Sequence, residues 1–201
     1  MTAARLVVAT RNAKKLAELR RILSDGLDVE LIGLNDVEPY PEVPETGATF
    51  AENALVKARE AVRHTGLPAV ADDSGLTVDA LSGMPGVLSA RWAGRSRSDQ
   101  ANLQLVLDQI ADVPDERRGA AFVCAAALAT PGGDEEVVEG QVRGILLRAP
   151  RGEHGFGYDP IFVPAGHTRT TAEMTAEQKD ALSHRGRALR ALAPRILAAL
   201  G

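Results

Sequence analysis

The chain has 201 residues, 45% of them hydrophobic and 25% charged, an ordinary globular mix that can bury a core in one compact domain or two small lobes. Its formal net charge of -4 argues against non-specific binding to nucleic acid or to acidic membranes. The apolar run within Met1–Thr10 is too short for a signal peptide or a membrane span, so a cytoplasmic protein with no membrane partner is expected.

Arg5–Ala9, RLVVA, is short, apolar and rich in valine, and predicts a buried strand. A helix should start near Ala13 with Asn12 as its cap, because Leu16, Leu19 and Leu23 recur at helical spacing. Residues 28–34 predict a second strand, and the proline-rich stretch 35–47 a loop. Thr49 and Glu52 spell a capping box ahead of the clearest helix. Its buried stripe is Phe50, Ala54, Ala58, Ala61 and Val62, and Gly66 stops it.

Residues 67–73 predict another strand, with 76–81 a further one close behind, and 84–94 look irregular. A helix capped by Ser98 or Asp99 follows. Residues 117–130 and 135–147 predict two long strands of a hairpin about the turn PGGD. The only cysteine, Cys124, lies in the first of these, so no intramolecular disulfide can form, which fits a reducing compartment. Residues 148–160 form a glycine-rich loop, 161–164 a short strand, and 175–200 a closing helix that Pro194 should kink or divide. The alternation of strands and helices with one long hairpin predicts an α/β fold with a mixed twisted sheet and flanking helices. No linker separates independent domains, so residues 1–201 are expected to form one domain.

Four places carry chemistry. Asp72 and Asp73 end a strand, where adjacent side chains point to opposite faces, so one faces a crevice while the other is structural. Oxygen-rich acids with no His or Cys cluster nearby suit Mg²⁺, and Glu45 in the proline-rich loop is a candidate second ligand. An Asx turn built by DDSG is the competing account of the same residues. Thr10–Lys15, TRNAKK, sits where a strand hands over to a helix, whose free N–H groups suit a phosphate; an ordinary helix cap with exposed lysines is the alternative. The glycines of a Walker loop are missing. His154–Pro160, HGFGYDP, brings backbone close to a ligand at its glycines and offers the Phe156 ring for stacking; a tight loop with Phe156 and Tyr158 packed inward competes. Ser183, His184 and Arg185 open a helix, where two cations invite a ligand or simply face solvent. The chain has four lysines, Lys14, Lys15, Lys57 and Lys179, against nineteen arginines, so each lysine is a weak site marker, with chance the competing account.

TRNAKK, ETGATFAENALVKA, ADDSGL, PGVLSAR, FGYDPIF and SHRGRAL, in this order over about Val7 to Leu189, resemble the inosine/xanthosine triphosphate pyrophosphatase family. The resemblance implies a mixed-sheet fold with two lobes around a central cleft, a homodimer, and Mg²⁺-dependent hydrolysis of ITP, dITP and XTP to monophosphate and pyrophosphate. It implies that Thr10, Arg11, Asn12, Ala13, Lys14 and Lys15 bind the triphosphate. Asp73 would be the catalytic acid/base and a metal ligand, with Glu45 the second ligand and Ser74 a substrate contact. Phe156, Gly157, Tyr158 and Asp159 would hold the nucleoside, and Lys179, His184 and Arg185 the base. Arg11 departs from the family, whose members often carry glycine there. Two other readings compete: a non-catalytic nucleotide-binding regulator on the same fold, and an enzyme of a related fold acting on other modified nucleotides. Asp73, Glu45 and Lys15 favour catalysis over the first, and SHR with FGYD argues against the second.

Overall fold

Six strands make one mixed sheet in the structure, a computed structural model that describes residues 4–24 and 29–201. They are β1 (Arg5–Val8), β2 (Glu30–Gly33), β3 (Ala69–Val78), β4 (Gly119–Ala129), β5 (Glu135–Leu146) and β6 (Phe162–Pro164), ordered β2-β1-β3-β4-β5-β6. β1 pairs in parallel with β2 and with β3, and β5 pairs antiparallel with β6. The α-helices are α1 (Ala13–Ser24), α2 (Phe50–Thr65), α3 (Asp99–Gln109), α4 (Ala176–Leu182) and α5 (His184–Leu200). The mixed α/β architecture is therefore the expected one.

Local chemistry explains the helix starts. Asn12 Oδ1 accepts from the N–H groups of Lys14 and Lys15 at 3.0 and 3.2 Å, capping α1. The Thr49–Glu52 capping box forms at the start of α2, and Gly66 ends that helix with φ 66°, a left-handed angle that glycine adopts without strain.

Three details differ from the sequence reading. The two strands expected at 67–73 and 76–81 join into the single ten-residue β3, because Ser74 and Gly75 stay extended. Gly75 is required there: a Cβ would run into Ser89 Oγ and the carbonyl of Gly86. The irregular segment 84–94 contains a 3₁₀ turn, Gly86–Arg91. The closing helix breaks at Ser183, whose ψ of 155° is extended, while Pro194 lies inside α5 without dividing it. Of the strand expected at 28–34, Glu30–Gly33 is observed, and Asp28 lies outside the described residues.

The chain divides into two compact units. One comprises the described residues of Met1–Asp73 with Cys124–Gly140 and Arg185–Gly201; the other comprises Ser74–Val123 and Gln141–His184. Each has its own core. Leu6, Val8, Leu19, Leu23, Val70, Leu128, Leu189, Leu192 and Ile196 fill the first. Leu76, Val78, Val106, Ile110, Phe122, Ile161 and Phe162 fill the second. Among the described residues no helix is long and apolar enough to cross a membrane.

Candidate active site

In the first unit, Asp72 and Asp73 lie side by side in the middle of β3, not at a strand end as expected, because the strand runs on through Ser74 and Gly75; alternation sends them to different partners. Asp72 is buried. Its Oδ2 lies 3.2 Å from Lys15 Nζ of α1 and accepts from Arg185 Nε and Nη2 of α5 at 3.2 and 3.1 Å. Arg185 is buried too, and its Nη1 bonds Glu18, one turn beyond Lys15 on α1. Burial alone would raise the Asp72 pKa. Lys15, then Arg185 and Lys57, reverse this and hold the carboxyl far below the usual carboxylate range. Asp72 is thus a permanent anion that fixes two cations. Burial, reinforced by Asp72, pushes the neighbouring Cys124 thiol up to about 12, so it is no nucleophile.

Asp73 meets α2 instead. Asn53 Nδ2 donates to its Oδ2 at 3.1 Å and Lys57 Nζ to its Oδ1 at 3.2 Å, while the same Nζ reaches Glu45 Oε1 at 2.9 Å. Burial raises the Asp73 pKa, and Glu45 adds to this, against the lowering by Lys57 and Lys15. Burial opposes the charge on Lys57, but Asp73, Asp72 and Glu45 outweigh it and raise its pKa. The pair of neighbouring acids therefore divides: one is locked as an anion, the other has a raised proton affinity suited to base chemistry.

Glu45 and Asp73 fit a hard divalent cation. Both are oxygen donors, and both already converge on one positive charge, the Lys57 ammonium. Among the described residues no three His, Cys, Asp or Glu side chains are grouped to hold a metal by themselves. A cation held here would complete its shell with water and ligand oxygens, as Mg²⁺ commonly does.

The second unit carries the aromatic cluster. Lys179 Nζ of α4 lies 4.7 Å from the centroid of the Phe156 ring and donates to Asp159 Oδ2 at 2.6 Å. Asp159 also takes the Phe156 N–H at 2.8 Å and the Thr171 hydroxyl at 2.8 Å, so it organises the loop that presents Phe156. Gly157 N–H donates to Asp99 Oδ2 at 3.1 Å, and Tyr158 Oη donates to the carbonyl of Ser89 at 2.8 Å. Tyr158 is buried, and burial keeps its hydroxyl protonated. His184 stacks on Phe122 with ring centroids 4.9 Å apart.

The expected residues therefore sort themselves. Lys15, Asp73 and Glu45 meet charged partners in the first unit, where Thr10, Arg11, Asn12, Ala13 and Lys14 form the turn into α1. Phe156, Asp159 and Lys179 meet in the second, which also holds Ser74, Gly157, Tyr158 and His184. Arg185, expected to read the base, belongs to the first unit, and its guanidinium is engaged by Asp72 and Glu18. Asn53, Lys57, Glu18, Ser89 and Asp99 were not among the expected site residues. For Lys57 a signal existed, its rarity among nineteen arginines. Asn53, one helical turn before it, gave none until α2 was packed beside β3.

The family model described as Ham1 family matches residues 6–195. A protein of Mycobacteroides abscessus named dITP/XTP pyrophosphatase is 65% identical over 192 residues, covering 94% of this chain and 93% of its own length. A crystal structure from Mycobacterium abscessus, described as nucleoside-triphosphatase / dITP/XTP pyrophosphatase, superposes with a TM-score of 0.77 at 65% identity, covering 94% of this chain and 99% of the other. A HAM1 protein from Coxiella burnetii gives a TM-score of 0.86 at 43% identity, covering 98% and 100%.

Proposed function

The chain belongs to the Ham1 family, and from that membership we propose that it hydrolyses the deaminated purine nucleoside triphosphates ITP, dITP and XTP to a monophosphate and pyrophosphate. The observation that carries this reading is the pairing of Asp73, with its raised proton affinity, to Glu45 and Lys57, beside a second acid locked as an anion. A non-catalytic nucleotide binder has no use for such a base.

Asp73 orients the attacking water and accepts its proton, a role its raised proton affinity favours. Mg²⁺, held by Glu45 and Asp73, would neutralise phosphate charge and polarise the phosphorus centre when bound. Lys15 and the positive end of the α1 dipole, with Thr10, Arg11, Asn12, Ala13 and Lys14 around it, stabilise charge on the departing pyrophosphate. Ser74 contacts the substrate. Phe156 stacks on the base, held by Asp159, Gly157 and Tyr158, and Lys179 and His184 supply donors to the 6-oxygen. Adenine presents an amine there, so donor would oppose donor. Arg185 acts one step behind, as the counter-ion that holds Asp72 and so the middle of β3, which carries Asp73. The chain works as one pyrophosphatase domain, as a homodimer in the cytoplasm.

The test is a phosphate-release panel with and without added inorganic pyrophosphatase. ITP, dITP and XTP should release phosphate only when the auxiliary enzyme is present, and ATP and GTP should stay intact. Equal release from all five, or release without the auxiliary enzyme, would overturn the reading.

A further inference from the structure

Lys57 occupies the point at which the two proposed metal ligands converge. Its Nζ lies 2.9 Å from Glu45 Oε1 and 3.2 Å from Asp73 Oδ1. The side chains of Lys57, Glu45 and Asp73 are 20%, 29% and 8% exposed, so solvent screens their attraction only in part. Two features hold the ammonium in place. Lys57 lies one turn after Asn53 on α2, and Asn53 fixes the other oxygen of the same Asp73 carboxylate at 3.1 Å. Lys15 is engaged elsewhere, 3.2 Å from Asp72.

We propose that Lys57 is an internal cation that holds the Glu45–Asp73 pair against divalent metal until a nucleotide arrives to receive its ammonium. The inference rests on the reading that Glu45 and Asp73 are the metal ligands. A dication entering alone must displace Nζ and leave a half-buried ammonium beside a new double positive charge, with its carboxylates taken. A triphosphate changes that balance, because its anionic oxygens give Nζ a replacement partner. Metal and nucleotide then favour each other's binding, by the same factor in both directions. The free protein binds metal weakly, and the site assembles only around substrate.

Mn²⁺ serves as the probe, with unbound ion read by electron paramagnetic resonance on the full chain without nucleotide. Lys57→Met should bind Mn²⁺ about tenfold tighter or more than wild type, since one opposing unit charge has gone from a poorly screened site. Lys57→Arg should stay weak, because it keeps the charge. Adding Asp73→Asn to Lys57→Met should abolish the gain, which places the ion at this pair. Lys57→Gln, nearly isosteric, repeats the measurement should the Met variant fail to give a native circular dichroism spectrum. Mn²⁺ binding by either folded neutral variant that is equal to or weaker than wild type overturns the proposal, as does a gain that survives Asp73→Asn. Failure of the pyrophosphatase reading shows elsewhere, as wild-type protein that forms no pyrophosphate from dITP.

Discussion

Arg185→Ala removes the cation shared by two buried carboxylates. The Arg185 side chain is 2% exposed, against 0% for Asp72 and 8% for Glu18, and it reaches Asp72 through two nitrogens and Glu18 through a third. Truncation takes the Arg185 bonds away from both buried carboxylates, while Asp72 keeps its contact with Lys15. Breaking a buried pair from one side costs about 3–5 kcal/mol, because the surviving charge stays desolvated. For a chain of this length each kcal/mol moves the melting temperature by roughly 2–4 °C, so a fall of about 6–20 °C is expected. Differential scanning calorimetry measures it. In the same preparation, assayed well below its transition, the ratio of kcat/KM for ITP over ATP should hold, because Arg185 acts through Asp72. An unchanged melting temperature together with a collapsed ITP/ATP ratio would refute this reasoning and return Arg185 to the base.

Asp73→Asn keeps size but loses the charge, the base and one of the two oxygens that accept from Asn53 and Lys57, so kcat should fall by ~10²–10⁴ or more while the chain still unfolds cooperatively; near-normal kcat would remove Asp73 from catalysis. In the metal-free protein Asp73 should take up its proton above the ordinary 3.8, because burial raises its pKa, as a carbon-13 titration of its carboxyl would show; a midpoint at or below 3.8 would contradict that. Asp72 works in the other direction for stability: its folded pKa is depressed, so its contribution is present above 3.8 and drains away as pH falls below that value, which acid titration of wild type against Asp72→Asn can follow. Light scattering should report twice the mass of one chain, and a monomer at micromolar concentration would reject the dimer.

The parts of the fold that could be read from the sequence are those written in local chemistry. Asn12, the Thr49–Glu52 box and Gly66 mark helix ends through bonds spanning four residues or fewer, and each end stands where expected. Long-range partners leave no such trace. Glu18 and Arg185 lie 167 positions apart, and nothing near Arg185 signals that its guanidinium turns to an acid on α1. Tyr158 carries the same lesson. The loop FGYD reads as a nucleoside contact, yet its hydroxyl spans 69 positions to the Ser89 carbonyl. The joining of two expected strands into β3 was hidden because Ser and Gly usually signal a turn, whereas here Ser89 Oγ takes the Leu76 N–H at 2.9 Å and keeps the strand extended. The division of labour between Asp72 and Asp73 was legible from strand alternation, but which acid served which purpose required their neighbours.

Chromatography of the first products formed from dITP, with and without Mg²⁺, tests the central claim most directly. Equal amounts of dIMP and pyrophosphate should form, only with the metal, and neither should form with Asp73→Asn. Formation of dIDP and phosphate would contradict it.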